Sequence, residues 1–341
     1  MVIARSWRRL PGPNALLEPV RTVSRILVTG ADGFIGRALI DSLHRSGGPI
    51  VGVVRGASGI ETPGVQTVRI TDIRAANWEH ALQGVDSVIH LAARTHILRE
   101  RNSKPLVEYR AINVQPTVNL FRACQAAGVK RFIFVSSIGV YGRLTEGHPF
   151  TEKDAARPTE PYAISKWEAE ESLRALLVRG STNLIVIRPA LIYGPYAKGN
   201  FLKLMRWIDA GLPLPFGAVH AKRNFLGLRS FCDLLSKCLE IPFEDQQLFV
   251  AADTTPVTTS ELISAIAAAM NIKVKQARLP VALLSILAKS IGRSAEFERL
   301  STSFEIDSTH ATTVLDWRPN PALGADLQDM VDVYLRTKND T

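Results

Sequence analysis

Thr29-Gly30-Ala31-Asp32-Gly33-Phe34-Ile35-Gly36 is the stretch on which the fold turns. An apolar run at 25–29 enters it and a helical pattern over 34–45 leaves it. Glycines at 30, 33 and 36 allow a sharp turn, close approach to a pyrophosphate and tight helix–strand packing; the first N–H groups of the helix then face the anion. A glycine triplet alone is weak evidence, and the strand–turn–helix setting gives it weight. Gly30, Asp32, Gly33, Phe34, Ile35 and Gly36 are therefore candidate dinucleotide contacts. The competing reading is a tight turn with no ligand.

Outward from this turn, short apolar runs alternate with helical patterns. Runs at 25–29, 50–54, 66–70, 87–91, 131–136, 184–187 and 248–251 read as buried strands. Near-continuous apolarity is expected where both faces of a parallel sheet are covered. Segments at 34–45, 78–82, 106–127 and 162–179 read as helices. Repeated strand–helix units predict an α/β fold, a Rossmann-type doubly wound parallel sheet. After Pro189 the chain becomes irregular and rich in proline and glycine. The expected division is an N-terminal extension, 1–24, disordered or an over-long start; a dinucleotide-binding domain, 25–189, with a further strand near 226–252; and a smaller substrate lobe from 190–225 and 253–335.

The end of the second strand should meet the adenosine ribose, where an NAD reader usually carries an acid. Here it is Arg55, whose guanidinium suits a 2′-phosphate. The cofactor reading is NAD(P)(H), leaning to NADP(H); the alternative is a solvated arginine beside an NAD ribose. Asp72 after the third strand could accept from an adenine amino group or cap a helix. Ile73, Leu91, Ala92, Ala93 and Pro189 complete the expected cofactor contacts at the strand ends.

Tyr162-Ala-Ile-Ser-Lys166 opens a helix after Pro161, and positions i and i+4 share a face. An ammonium near a phenol favours the phenolate, and such a tyrosine can move a proton to or from an alcohol oxygen. Ser136 and Ser137 sit at the C-terminal end of the fifth strand, where doubly wound sheets place ligands. Alone, Tyr-x-x-x-Lys is a common accident; its conjunction with the glycine turn and the serines is not.

With these pieces in place the chain resembles the extended short-chain dehydrogenase/reductases of the NAD-dependent epimerase/dehydratase family, over about residues 25–335. The resemblance rests on TGADGFIG (29–36), HLAA (90–93), Asn113, FVSSIGVYG (134–142), YAISK (162–166) and IRPALIYGP (187–195). It implies that Tyr162 transfers the proton and Lys166 lowers its pKa and holds the nicotinamide ribose. It further implies that Ser137 binds the reacting oxygen and Asn113 braces the helix. Substrates of this branch are mostly nucleotide-diphosphate sugars. Asn200 would touch the diphosphate, Arg223 would grip phosphate, and Arg299 lies where a second phosphate arginine is expected; Thr95 is a further expected substrate contact. Homodimers pairing through helices near 106–127 and 162–179 are implied, with Leu173, Leu176 and Leu177 at suitable spacing; the same leucines could instead cover the sheet.

Related sugar 4,6-dehydratases place an Asp-Glu pair directly after the catalytic Thr or Ser. Here Ile138 and Gly139 stand there and can do no acid–base work, which rejects dehydration. The segment 199–219 (GNFLKLMRWIDAGLPLPFGAV) resembles a UDP-glucose 4-epimerase-like subgroup that includes 4-reductases forming UDP-N-acetylquinovosamine in bacterial O-antigen (lipopolysaccharide) biosynthesis. Leu191, Thr95 and Arg55 replace residues of the galactose-epimerase pattern. The favoured expectation is an NAD(P)H-dependent 4-reductase of a UDP-4-keto-6-deoxy-N-acetylhexosamine, with a UDP-hexose or UDP-N-acetylhexosamine 4-epimerase as the alternative. A non-sugar reductase of the same branch would have no need of Asn200 and Arg223, and a non-catalytic NADP sensor would have no need of Tyr162 and Lys166.

Composition excludes other classes. The chain has 341 residues with 46% hydrophobic and 21% charged, as in globular proteins. Its net charge is +9, and residues 1–25, with Arg5, Arg8, Arg9, Arg21 and Arg25 against Glu18, supply +4 of it. Aromatics are 7%, with no basic stripe interleaved with them, so no nucleic-acid partner is expected. Cys124, Cys232 and Cys238 have no metal-like spacing; no metal is expected, and sparse, odd cysteines suit a reducing, cytoplasmic setting. No unbroken apolar stretch reaches the ~18 residues of a spanning helix, so no stable membrane insertion is expected. The apolar segment 280–291, interrupted by Ser285 and Lys289, reads as a core helix rather than a membrane-lying one.

Overall fold

A computed structural model describes residues 24–339 except Ser58, Glu61, 96–103, Glu244, Ile291, Arg293 and Ala322. The expected extension at 1–24 therefore lies, but for Ser24, outside the described residues. Seven strands form one parallel sheet: β1 (Ile26–Thr29), β2 (Ile50–Arg55), β3 (Gln66–Ile70), β4 (Ser87–His90), β5 (Arg131–Val135), β6 (Asn183–Pro189) and β10 (Gln246–Ala251). Their order is β10-β6-β5-β4-β1-β2-β3, so the winding reverses between β1 and β4. There Thr29 is in register with Val53 on one side and His90 on the other. The crevice at this switch point is where such sheets bind ligands.

Helices cover both faces. On one, α1 (Phe34–Arg45) and α6 (Leu228–Glu240) pack with α10 (Thr309–Leu315); on the other lie α2 (Pro105–Asn113), α3 (Gln115–Ala126) and α4 (Pro161–Ala175). The strand expectations hold to within a residue or two at their ends, where strand limits are soft.

Three helix expectations change. Residues 78–82 form only hydrogen-bonded turns, Leu82 N–H donating to Trp78 O at 2.9 Å. Trp78, Ala81 and Leu82 are buried at helical spacing, but so short a segment cannot repay helix nucleation. The expected helix at 106–127 is two, α2 and α3, broken at Val114, because Pro116 has no N–H for the carbonyl four residues back. The helix begun at Tyr162 stops at Ala175, where Leu176 and Leu177 N–H groups turn to carbonyls three residues back. Leu173, Leu176 and Leu177 pack with the sheet cluster, so they cover the sheet.

Beyond Pro189 a separate apolar cluster forms. Its elements are β7 (Leu191–Tyr193) paired with β9 (Phe225–Gly227), β8 (Lys222–Arg223) with β11 (Val257–Thr258), and helices α5 (Asn200–Asp209), α7 (Thr259–Ala269), α8 (Val281–Ser290), α9 (Ser294–Ser301) and α11 (Ala325–Asn339). Helix α7 is started by a capping box between Thr258 and Glu261. Helix α8 departs from the core-helix expectation: Leu284 and Ala288 are buried, whereas Leu283, Ile286 and Leu287 are 44%, 66% and 49% exposed. A ten-residue helix touching its neighbours along one narrow line cannot bury apolar residues on all sides. Among the described residues no helix is long and apolar enough to cross a membrane.

Candidate active site

The nucleotide side is set by backbone. Gly30 has φ +65°, and a Cβ there would stand 3.0 Å from Ala92 N, across the switch point. A Cβ on Gly36 would lie 2.2 Å from Gly30 O, so α1 seats on the turn only without a side chain. Gly33 caps α1 with no side-chain acceptor, leaving the helix N–H groups without the usual hydroxyl or carboxylate partner. Phe34 and Ile35 pack partly buried against the core, and Asp32 O accepts from Arg37 Nε at 3.0 Å. This cradle fits a dinucleotide pyrophosphate.

Farther along the crevice, Ala92 N–H donates to Thr29 Oγ1 at 3.2 Å, and Leu91 and Ala93 flank it. Arg55 is exposed at the end of β2. Asp72 caps the turn Ile73–Ala75, accepting from Arg74 N–H at 2.9 Å and pairing with the Arg74 guanidinium at 2.6 Å. That hydrogen-bonded guanidinium holds its carboxyl below the usual range. Asp72 therefore has the capping geometry weighed in the sequence. Pro189 is buried at the end of β6, in register with Ala251.

A polar ladder that the sequence reading missed lies beneath. Thr29 Oγ1 meets His90 Nδ1 at 2.7 Å, and His90 Nε2 meets Thr117 Oγ1 at 2.9 Å. Burial, with Lys166 nearby, lowers His90 to about 3, so the imidazole is neutral and ties β1 and β4 to α3. Asn113 is buried and bridges two segments. Its Oδ1 accepts from Arg94 N–H at 2.8 Å, and its Nδ2 donates to Arg94 O and to Ser165 Oγ, both at 3.0 Å. Ser165 in turn donates to Tyr162 O at 2.7 Å. The break after Asn113 thus sets this amide against the first turn of α4.

Tyr162 and Lys166 stand one turn apart on α4. Tyr162 is half-buried and meets Tyr109 edge-on, with ring centroids 6.0 Å apart. Lys166 is 2% exposed, its Nζ 4.1 Å from the Phe134 ring centroid. Burial pushes the Tyr162 phenol up to about 12, with Tyr109 adding to it. Burial lowers the Lys166 ammonium to about 7, opposed by Glu170. The expected lowering of the phenol by its lysine is therefore reversed here, because loss of water disfavours both charged forms.

The two serines part company. Ser136 is buried and donates to Glu170, while Ser137 is half-exposed, its Oγ accepting from Gly139 N–H at 3.2 Å. Glu170 also holds Arg188 of β6, with Nη2–Oε2 at 2.6 Å; both side chains are at most 2% exposed. Burial opposes the charge on Arg188, but Glu170 outweighs it and the guanidinium stays charged. This pair locks α4 to β6. Glu170, one turn beyond Lys166, was legible by spacing; Arg188 carried no signal beyond lying in the quoted IRP.

A cavity of about 250 Å³ opens at Tyr162, walled also by Tyr109, Arg143, Glu160 and Arg299. Arg143 and Glu160 were not foreseen. Arg299 of α9 donates to Glu160 Oε1 at 2.6 Å. Arg223 is held by Thr302, Nε donating to its carbonyl at 3.2 Å, and lies over the Phe304 ring. Burial and then the charge of Arg299 lower Arg223 to about 10. The fold thus brings together Tyr162, Arg299 and Arg223, the two arginines near enough to repel. Thr95, exposed, accepts at its carbonyl from Tyr109 Oη at 3.3 Å. Asn200 is exposed in the first turn of α5, and Ser137, Asn200 and Arg223 stand outside the walls of the cavity itself. Among the described residues there is no cluster of His, Cys, Asp or Glu able to hold a metal.

Residues 26–249 match the model of the NAD dependent epimerase/dehydratase family. The chain belongs to that family. It is 35% identical to a UDP-glucose 4-epimerase of Vibrio cholerae over 92% of this chain and 96% of that one. It is 27% identical to an N-acetyl-alpha-D-glucosaminyl-diphospho-ditrans,octacis-undecaprenol 4-epimerase of Escherichia coli O157:H7, over 83% and 87%. Among solved structures, MoeE5 in complex with UDP-glucose and NAD superposes with a TM-score of 0.75 at 25% identity, over 92% of this chain and 100% of that one. The protein is thus an NAD-dependent enzyme of this family with the expected Rossmann-type sheet.

Proposed function

We propose that the chain is a nucleotide-sugar 4-epimerase acting on a UDP-hexose or UDP-N-acetylhexosamine. One observation supports a diphosphate-linked substrate: Arg299 walls the Tyr162 cavity and Arg223 lies close enough behind it to feel its charge; the similarity to two 4-epimerases favours epimerisation of it. Like charges held together this way suit a diphosphate, whose oxygens accept from planar guanidinium forks. Tyr162 then lies where a sugar attached to that diphosphate would present a ring hydroxyl.

Gly30, Gly33, Gly36 and Ala92 would hold NAD, which would supply a hydride acceptor able to return the hydride. Tyr162 would take the C4 hydroxyl proton as the hydride leaves C4 and, once the 4-keto sugar has turned its opposite face, give the proton back, with Ser137 hydrogen-bonding the same oxygen. Lys166, buried one turn along α4, would supply positive charge on the same helix face as Tyr162. Asn113 and Ser165 position the first turn of α4. Epimerisation needs no further acid or base, in keeping with Ile138 packed in the core and Gly139 bearing no side chain. Pairing of two copies through α2, α3 and α4 belongs to the same proposal.

The 4-reductase favoured by sequence becomes the second reading, since the two curated relatives named above are 4-epimerases. Exposed Arg55 keeps it open, because a guanidinium at that strand end suits NADP(H), which exchanges in a net reduction. Product analysis separates the two. Interconversion of UDP-glucose or UDP-N-acetylglucosamine with its C4 epimer, without added cofactor, supports the epimerase. Consumption of NADPH or NADH only with a UDP-4-keto-6-deoxy-N-acetylhexosamine supports the reductase and overturns the first reading.

A further inference from the structure

The C-terminal lobe carries a surface that the sugar chemistry does not use. On α8, Leu283, Ile286 and Leu287 stand at i, i+3 and i+4 and form one exposed apolar stripe. It lies about a third of a turn round the helix from buried Leu284 and Ala288, the line by which the helix is anchored. Val281, 40% exposed, extends the apolar surface at the helix start. A cluster of large exposed aliphatic side chains is unusual on a free surface.

Basic residues dominate the segment leading into it, while Glu298 of α9 shares a pocket with Val281, Ala282 and Ser285 on the anchored side of α8. Residues 262–295 contain Lys273, Lys275, Arg278, Lys289 and Arg293 and no acid. Lys273, Lys275 and Arg278, in the segment leading into α8, are exposed, as is Lys289 in its last turn. An exposed apolar stripe preceded in the chain by three exposed basic residues and followed by a fourth is complementary to an anionic bilayer, with aliphatic groups at the acyl boundary and cations among the headgroups. At ten residues, ~15 Å long, α8 cannot span the hydrocarbon core, so the contact would be peripheral and reversible.

We propose that α8 and the basic segment before it dock this enzyme on an anionic lipid surface. Helix α8 packs on α9, whose Arg299 walls the Tyr162 cavity, so docking would hold the cavity close to the headgroups. The proposal stands independently of which sugar is turned over.

Co-sedimentation of the full chain with phosphatidylglycerol–phosphatidylcholine vesicles, against pure phosphatidylcholine, tests it. The chain should sediment with the anionic vesicles alone, and release as salt rises past the Debye screening range. The double variant Ile286→Ser/Leu287→Ser, and separately Lys273→Glu/Lys275→Glu/Arg278→Glu, should each lower binding about tenfold or more. All substituted residues are exposed, so melting temperature and turnover of soluble sugar substrate should be unchanged. Retained binding in both variants would place the contact elsewhere, for instance on the arginines of residues 1–25, and overturn the proposal. So would equal binding to neutral vesicles, no binding at all, or light scattering that shows the double variant abolishing a dimer.

Discussion

At Gly36 the decisive contact is local: a Cβ would meet the carbonyl of Gly30, six residues back, at 2.2 Å. At Arg223 the decisive contact is a side chain held by Thr302, 79 residues further along. The nucleotide-facing half is thus shaped by local turn geometry repeated at each strand end. The half around Arg223, proposed to face the sugar nucleotide, is assembled from loops and short helices that meet only after folding. The first should be unforgiving toward any added atom; the second should tolerate change in stability yet register it in substrate affinity.

The contrast can be tested from its largest expected effect downward. Tyr162→Phe keeps the ring and removes the proton carrier, so turnover should fall about 10²- to 10⁴-fold, while nucleotide co-purifying with the chain stays the same. Loss of the nucleotide as well would merge the two halves. Glu170→Ala leaves Arg188 buried and unpaired, which should cost about 3–5 kcal/mol in urea unfolding. A smaller loss would mean that α4 is not locked to β6 by this pair. Gly36→Ala forces a methyl onto Gly30 O, and such overpacking costs about 1–3 kcal/mol. Nucleotide retention, read by absorbance of the purified protein, should drop with it.

Arg223→Leu should raise KM about tenfold, in the range of one lost charge-assisted contact, with kcat changed less. Combining it with Arg299→Leu should be clearly non-additive, because each arginine otherwise shares one anion. Additive losses would separate the pair and weaken the diphosphate reading.

The smallest effect concerns Asp253, which is 1% exposed and accepts from Tyr193 Oη at 2.9 Å and from Gly227 N–H. Burial raises its carboxyl to about 6. Its protonated form therefore contributes stability that is complete below about pH 4 and lost as pH rises through about 6. Asp253→Asn has no such dependence. Wild type should lose stability relative to the variant as pH rises from 5 through about 6, with no further relative change up to pH 8, in denaturant titrations.

Much of the nucleotide half was legible because its signals are local. The glycine turn, the apolar runs and the Tyr162–Lys166 spacing each lie within a few residues, and the strands emerged in the places expected. Asn113 was legible only through resemblance, although its contacts with Arg94 and Ser165 are plain once α2 and α4 are packed together. The reversed pKa of Tyr162 was not legible, since spacing specifies the neighbour but not how much water surrounds it.

The sequence by itself determined the sheet, the glycine cradle and the candidate proton carrier, because backbone sterics and side-chain period act over short distances. Only tertiary structure decided that Arg299 reaches the Tyr162 cavity with Arg223 behind it, that Glu170 and Arg188 pair in the interior, and that α8 shows Leu283, Ile286 and Leu287 to solvent. Each of these depends on which distant surfaces exclude water from one another, and no local pattern specifies that.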